Sequence, residues 1–372
     1  MSADILTNGG SRVVVFEYGE TPLEALESCT RIEAQPAPQL DELGPTDVVF
    51  GVRASSVGWV DLIMSSGQYQ HMAPPPYTPG LEYSGDVLWV GAEVSRHAVG
   101  DKVFADGLEV GPRSYGDYQR WGGMASYAVA PESALYPLPE SFDYAQGCNL
   151  LGAYETAYHC LFARGRLKKD EWVLIHGASG TTGLAAVHLA KLAGAKVIAT
   201  GRSPEKLRVV TEQGADHCID TRGDDGQLRS FKDEVKELTG GKGVHVVYDP
   251  VGGPISTESM RCVRFGARFL IVGWAATPFV ARGKGKRGAP NANQLPTNLI
   301  MMKGLDVLGC PAVISTRFDP TLRPQRLEKI LAWVREGAIQ PYISHRFPFA
   351  AYKDALRTKW EGAVIGGAVL EI

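Results

Sequence analysis

The sequence predicts an α/β chain in two parts: a β-rich N-terminal region and a doubly wound parallel sheet. Three observations predict it. The apolar run Trp172-Val-Leu-Ile175 suits a buried parallel strand, and it leads into a turn with glycines at 177, 180 and 183. After that turn, segments with helical and strand periodicity alternate up to about residue 309. Before it, residues 11–136 hold short β-forming runs separated by Gly, Pro and Asp, the pattern of a compact barrel-like region.

The elements follow in order. Arg12–Phe16, Asp47–Arg53, Gly85–Gly91, Asp101–Ala105 and Ala125–Ala130 read as strands. Pro74-Pro-Pro-Tyr-Thr-Pro79 reads as an extended loop, because proline cannot enter the interior of a ladder. Ala153–Phe162 is a helix leading to the strand at 172–175. Leu184–Ala193 has high helix propensity with apolar residues at helical spacing, and Lys196–Thr200 is the next strand. Helices at 205–213, 227–239 and 255–263 then alternate with strands at Cys218–Ile219, Val244–Tyr248 and Arg268–Gly273. Residues 281–297 form a Gly-rich basic loop. Leu305–Gly309 is a strand, 323–336 and Tyr352–Lys359 are helices, and Val364–Leu370 is a last apolar strand. The expected organisation is a β-rich region over 1–146, the parallel sheet over 147–309, and a return segment over 310–372 that completes the first region.

With 372 residues, 44% of them hydrophobic, and a mean hydropathy of −0.09, the chain has room for two globular cores. A net charge of −3 gives no global attraction for nucleic acid or an anionic membrane. The first ten residues lack a leader pattern, no apolar run approaches the ~20 residues of a membrane span, and Val369-Leu-Glu-Ile372 matches no address signal. A cytoplasmic protein is the expectation. Six cysteines without a CxxC pair describe neither a zinc ribbon nor a disulfide framework, and they read as buried small hydrophobes. No pair of the eight histidines has ligand spacing. Ser179 is no hydrolase nucleophile, because Gly180 follows it directly.

Strand, glycine turn, helix and strand make the βαβ unit that holds a dinucleotide pyrophosphate. Glycine lets the backbone approach the phosphates, and the helix N-terminus adds N–H groups and partial positive charge. Forms that take NAD place Asp or Glu about 20 residues past the turn, for the ribose 2′-OH. Here the second strand ends Thr200-Gly-Arg-Ser-Pro-Glu-Lys206. Arg202 and Lys206 can neutralise a 2′-phosphate and Ser203 can hydrogen-bond it, so NADPH is the expected cofactor.

Several ordered motifs carry a resemblance over roughly residues 45–372. They are Gly67-Gln-Tyr69, Pro79-Gly-Leu-Glu-Tyr-Ser-Gly85, Val99-Gly-Asp-Lys-Val103, Gly122-Gly-Met-Ala-Ser-Tyr-Ala128, Glu155-Thr-Ala-Tyr158, Ala178-Ser-Gly-Thr-Thr-Gly183, Thr239-Gly-Gly-Lys-Gly-Val244, Tyr248-Asp-Pro-Val-Gly-Gly253 and Leu299-Ile-Met-Met-Lys-Gly304. With these the chain resembles the zinc-independent branch of the medium-chain dehydrogenase/reductase superfamily. Its quinone oxidoreductases, of the zeta-crystallin type, are the nearest in pattern, with enoyl thioester and prostaglandin reductases beside them. The resemblance implies a Rossmann domain, a GroES-like catalytic domain and a homodimer. Zinc alcohol dehydrogenases carry Gly-His-Glu where this chain has Gly80-Leu81-Glu82, and they carry four clustered cysteines that are missing here. No metal is therefore expected.

The resemblance also implies roles. Ser179, Gly180, Thr181, Thr182 and Gly183 would face the pyrophosphate. Thr156, Val272, Gly273 and Trp274 would line the nicotinamide side. Tyr69 stands where enoyl reductases keep a tyrosine, which would donate a proton or only shape the pocket. Relatives commonly have asparagine where this chain has Gly58, so Gly58 and Trp59 are candidate substrate contacts. The tyrosine that relatives place against the adenosine phosphate is Thr221 here. Arg282, Lys284, Lys286 and Arg287 could take an anionic handle such as coenzyme A phosphates, or be a solvated loop. The expected activity is hydride transfer from NADPH to a quinone or another conjugated acceptor. The alternatives are reduction of a 2-enoyl thioester or a prostaglandin-like enone, and a non-enzymatic NADPH-binding protein.

Overall fold

A computed structural model describes residues 2–71, 73–276 and 293–372, with side chains from Ile5 onward. The basic stretch holding Arg282, Lys284, Lys286 and Arg287 lies outside the described residues.

In chain order the first elements are α1 (Ser2–Asn8), β1 (Gly10–Val15), α2 (Pro22–Ser28), β2 (Thr30–Gln35), β3 (Asp47–Ser56), α3 (Trp59–Ser65), β4 (Tyr83–Val90), β5 (Lys102–Ala105), β6 (Tyr127–Pro131), β7 (Leu135–Pro137) and α4 (Tyr144–Gly147). Next come α5 (Leu151–Tyr158), β8 (Trp172–Ile175), α6 (Thr181–Leu192), β9 (Lys196–Gly201), α7 (Pro204–Glu212), β10 (His217–Asp220), α8 (Lys232–Leu238), β11 (Val244–Asp249), α9 (Pro254–Cys262) and β12 (Val263–Ile271). The last are α10 (Thr297–Lys303), β13 (Asp306–Gly309), α11 (Ala312–Phe318), α12 (Leu322–Arg335), β14 (Ile343–Pro348), α13 (Tyr352–Trp360) and β15 (Gly367–Glu371). No described helix is long and apolar enough to cross a membrane.

Among the described residues the chain divides into two compact units. One holds 2–152 and 340–372, the other 153–276 and 293–339. The first is built on an antiparallel sheet in the order β14-β15-β3-β4-β5-β7, whose β14–β15 pair alone is parallel. The long strand β3 shares one edge between two partners: β6 pairs with Asp47–Gly51, and β15 pairs with Ala54–Ser56. The second unit is a six-stranded, wholly parallel sheet in the order β10-β9-β8-β11-β12-β13. That order places β8 and its glycine turn where the winding reverses, the switch point at which open α/β sheets bind ligands.

Local chemistry sets the boundaries. Thr21 accepts the Glu24 N–H at 3.2 Å and Pro22 takes the first turn of α2, as a cap followed by proline should. Asp143 and Gln146 close a reciprocal capping box on α4. Three boundaries differ from expectation. The helix expected over 227–239 is only α8, because Arg222 and Leu228 bridge around a turn in which Gly226 has φ 78° and Arg229 N–H returns to Thr221 O. The helix expected to reach Phe162 is α-helical only to Tyr158 and continues as a π-turn over His159–Arg164. The last strand starts at Gly367 rather than 364, since Gly366 at φ 61° breaks the extended chain.

The return to the first unit begins at Gln340, not at 310, and the earlier division falls at Gly152 rather than 146. Residues 310–339 pack with the parallel sheet for a physical reason. Glu155 on α5 receives Arg323 Nε and Nη2 at 3.1 and 2.9 Å, and Arg326 Nε at 2.9 Å, all three side chains being buried. A buried carboxylate and two guanidiniums cannot be left apart without a large desolvation cost.

Candidate functional site

In the parallel unit the site starts from β8, whose Val173, Leu174 and Ile175 are fully buried. The chain then turns at Gly177, with φ 56°, a conformation that disfavours any side chain. A Cβ at Gly183 would stand 2.3 Å from the Gly177 carbonyl oxygen, so glycine is required for α6 to start this close to the turn. A Cβ at Gly180 would meet that same oxygen at 3.3 Å and no other atom within 4 Å. The first intrahelical bond of α6 runs from Leu184 N–H to Gly180 O at 2.9 Å. The amides of Thr181, Thr182 and Gly183 precede it, at the end of a twelve-residue helix where the dipole favours an anion. Ser179 lies in the turn itself.

The neighbouring strand ends complete an edge. A Cβ on Gly177 would touch Val251 and Pro250, just past β11. Asp249 turns this segment: its Oδ1 accepts the N–H groups of Val251 and Gly252 at 2.9 Å each, and its Oδ2 accepts Ser256 Oγ–H. Val272, Gly273 and Trp274 follow β12 along the same segment. Val272 N–H donates to Asp249 O at 2.9 Å, and a Cβ at Gly252 would lie 3.2 Å from Trp274 Cα. The structure thus brings 177–183, 249–253 and 272–274 together at the C-terminal edge of the sheet. Trp274 is half exposed there.

Arg202, Ser203 and Lys206 gather at the end of β9. Ser203 caps α7, accepting the Lys206 N–H at 3.4 Å. Lys206 has its ammonium pKa lowered, first by burial and then by the charge of Arg202, with Glu205 opposing. Two cations held near each other are what an added phosphate would relieve. Thr221, in place of a tyrosine, is buried and donates its hydroxyl to Gly201 O at 3.0 Å. Thr156 is half buried on α5, beside the Glu155 that binds α12. His176 is packed rather than catalytic, with Nδ1 2.7 Å from Thr200 Oγ1 and Nε2 2.6 Å from Ser259 Oγ. Ser259 donates to Ile255 O, so it accepts from Nε2–H, and burial lowers the ring's pKa to about 4.

In the antiparallel unit the candidates are spread out. Gly58 precedes α3, and its N–H donates to Asp61 Oδ2 at 3.1 Å; a Cβ at 58 would lie 2.5 Å from that oxygen. An asparagine would therefore displace Asp61, whose Oδ1 also accepts Gly80 N–H at 2.9 Å. Burial raises the Asp61 carboxyl to about 7, against the two N–H bonds and Arg113 that lower it. Trp59 stacks on Trp360 of α13 at 4.5 Å, so one face of its ring is committed to packing. Tyr69 is partly buried and packs against the cluster of Val15, Met64, Ala73, Tyr77 and Leu81. The residues that sequence reasoning missed here are Asp61 and Tyr77, whose buried hydroxyl has no partner among the described residues. The only signal was an acid three residues into an apolar helix. At the position of the zinc motif, Glu82 Oε1 accepts Gly152 N–H at 2.6 Å. Among the described residues no group of three His, Cys, Asp or Glu side chains is arranged to hold a metal.

A parallel sheet in this order, with a glycine cradle at its switch point, defines the dinucleotide-binding half of a dehydrogenase or reductase. Sequence comparison agrees on both units. Residues 44–140 match the alcohol dehydrogenase GroES-like domain, and residues 181–323 match the family described as zinc-binding dehydrogenase. The quinone oxidoreductase-like protein 2 homolog of Nematostella vectensis is 32% identical over 332 residues, 87% of this chain and 82% of that protein. A probable oxidoreductase from Mycobacterium abscessus superposes with a TM-score of 0.77 at 26% identity, over 98% of this chain and 99% of its own. The Escherichia coli quinone oxidoreductase, solved in complex with NADPH, gives 0.76 at 22% identity over 97% and 100%. The chain belongs to the medium-chain dehydrogenase/reductase superfamily, among its quinone oxidoreductase-like members.

Proposed function

We propose that this protein is a zinc-free reductase that transfers hydride from NADPH to quinones or other conjugated acceptors. The observation that carries the cofactor is the end of β9, where Arg202 and Lys206 stand together and no carboxylate occupies position 201 or 202. The glycine turn suits a pyrophosphate, since Gly183 lets α6 start against the Gly177 carbonyl and a Cβ at Gly180 would meet no other atom within 4 Å than that oxygen. The E. coli relative with NADPH and the quinone oxidoreductase-like names support the same reading. Leu81 replaces the imidazole a catalytic zinc needs, and Glu82 accepts the Gly152 N–H, so no step is assigned to a metal.

Bound NADPH supplies the hydride. The chain's part is to hold and orient it. Amides at Thr181, Thr182 and Gly183 would take the pyrophosphate, with Ser179 and Gly180 facing it in the turn. Arg202, Ser203 and Lys206 take the 2′-phosphate. Thr156, Val272, Gly273 and Trp274 fix the nicotinamide face. A quinone gains hydride and then one proton to become a hydroquinone, and Tyr69 is the proposed donor or hydrogen-bond partner for the acceptor oxygen. A homodimer is proposed through the edge strand β13, because Phe265, Met301 and Met302 stand exposed near it and Gly304 lies against Phe265.

The test is NADPH consumption by chelator-treated protein with phenanthrenequinone and, separately, with crotonyl-CoA. Quinone turnover that survives chelation is expected. Turnover with crotonyl-CoA alone would make it a thioester reductase. NADPH binding without turnover on either acceptor would remove the enzymatic reading.

A further inference from the structure

Beside the glycine cradle, where a Cβ on Gly177 would lie 3.3 Å from Val251, three successive backbone amides are held by side-chain oxygens. Asp249 Oδ1 accepts the first two, Val251 N–H and Gly252 N–H, at 2.9 Å each. The third, Gly253 N–H, donates at 3.1 Å to Oδ1 of Asn293, a half-buried residue 40 positions further along the chain. Asn293 Nδ2–H donates to Ser256 Oγ at 3.0 Å, and Ser256 gives its own proton to Asp249 Oδ2. Asp249, the 251–253 turn, Asn293 and Ser256 thus close a ring of hydrogen bonds, in which Asp249 and Ser256 are buried. An amide is the group that this ring requires at position 293. Gly253 N–H can only donate and needs an acceptor, whereas Ser256 has given its one proton to a carboxylate and needs a donor.

The ring bears on the segment that carries Trp274. Gly252 and Gly253 take φ 75° and 72°, so the turn consists of two adjacent residues with little conformational preference of their own. The segment after β12 is bonded along this turn. Val272 N–H donates to Asp249 O at 2.9 Å, Ala275 N–H to Pro250 O at 3.1 Å and Ala276 N–H to Val251 O at 2.8 Å. A Cβ at Gly252 would lie 3.2 Å from Trp274 Cα and 3.5 Å from Asn293 Nδ2, so Gly252 stands against both. On the NADPH reading proposed above, we infer that Asn293 is a positioning residue for the nicotinamide side of the cofactor site, holding the turn against which Trp274 rests. Arg202, Ser203 and Lys206 stand at the end of a different strand, β9, so the two ends of the cofactor depend on separate side chains.

Removing the amide loosens the turn and weakens the hold on the nicotinamide end, while the adenosine end keeps its contacts. A carboxylate at 293 has a different effect. It retains the acceptor for Gly253 N–H but turns a second negative charge toward Ser256, which has no second proton to offer. Protonation of that carboxylate restores a donor, and the nearby Asp249 charge raises the pH at which it protonates.

The test is isothermal titration calorimetry on full-length wild type, N293A and N293D, with two ligands. One is NADPH, and the other is adenosine 2′,5′-bisphosphate, which has the 2′-phosphate but no nicotinamide. N293A should bind NADPH roughly three- to tenfold more weakly than the wild type, as expected from two lost hydrogen bonds, with the bisphosphate Kd unchanged. N293D should be impaired for NADPH at about pH 8 and recover toward the wild-type Kd at about pH 5.5, while N293A stays impaired at both. Equal weakening of NADPH and bisphosphate in N293A would overturn the positioning role, since it would report general loosening of the parallel unit. An N293D that does not recover would overturn the requirement for a donor at this position. An N293A that binds NADPH as the wild type does would overturn the role of Asn293 and leave the cofactor reading standing. A wild type that binds neither ligand would overturn the cofactor reading itself.

Discussion

The antiparallel unit buries a carboxyl and the parallel unit buries two imidazoles, and each is held neutral by burial. Asp61 is raised to about 7 by desolvation. His176 and His159 are lowered to about 4, again chiefly by desolvation, with Arg326 and Arg164 adding to the effect at His159. The same cause works in opposite senses on pH. For Asp61 the folded state holds its proton up to about pH 7 where the unfolded chain releases it near 4. That stabilisation is full below pH 4 and fades as pH rises to 7. The histidines stay neutral when folded but bind protons near 6.5 when unfolded, so their contribution is full above that and is lost as pH falls toward 4. Buried charge in the parallel unit is compensated at Glu155, where two guanidiniums share one carboxylate, and at Arg268, which pairs with Glu171.

The largest expected effect breaks that compensation. Glu155→Gln leaves Arg323 and Arg326 buried without a counter-charge, at a cost of about 3–5 kcal/mol. Urea unfolding should show it, and hydrogen exchange should report it in α5 and α12 before the antiparallel unit. A loss under about 1 kcal/mol would mean the triad is solvated. Next is the pH contrast itself. Lowering pH from 6.5 to 4 should weaken protection around His176 by on the order of 3 kcal/mol, from ~1.4 kcal/mol per pKa unit. Protection at Asp61 and Gly80 should rise over the same range. Parallel behaviour of both regions would break the comparison. The smallest effect sharpens it. Asp61→Asn keeps one acceptor for the two N–H groups of Gly58 and Gly80, costs about 1–3 kcal/mol, and should flatten the pH response of that unit alone. A variant whose slope matches the wild type would clear Asp61 of the effect.

How much of this was legible in the sequence differs between the units for a related reason. The β8–α6–β9 unit could be read because glycine turn, apolar strand and helix periodicity lie within one short stretch. The ion cluster at Glu155 could not be read, since its partner Arg323 is 168 residues away. The same distance problem hid the true start of the return segment at Gln340. The 227–239 helix was overestimated because Gln227–Ser230 can continue a helical pattern, whereas the Gly223–Gly226 turn pulls them back toward Thr221. In the antiparallel unit, Gly58 looked like a missing polar group near substrate. It is the only residue that leaves Asp61 room to accept two backbone N–H bonds.

The central claim is that the paired cations at the end of β9 select the phosphorylated cofactor. It is tested most directly by kcat/KM for NADPH and for NADH, measured with one quinone acceptor in the wild type and in Arg202→Asp. The wild type should prefer NADPH, and the variant should lose roughly ten- to a hundredfold of that preference, the worth of a charge-assisted phosphate contact of about 1.5–3 kcal/mol. An NADPH/NADH ratio unchanged by Arg202→Asp would contradict the account.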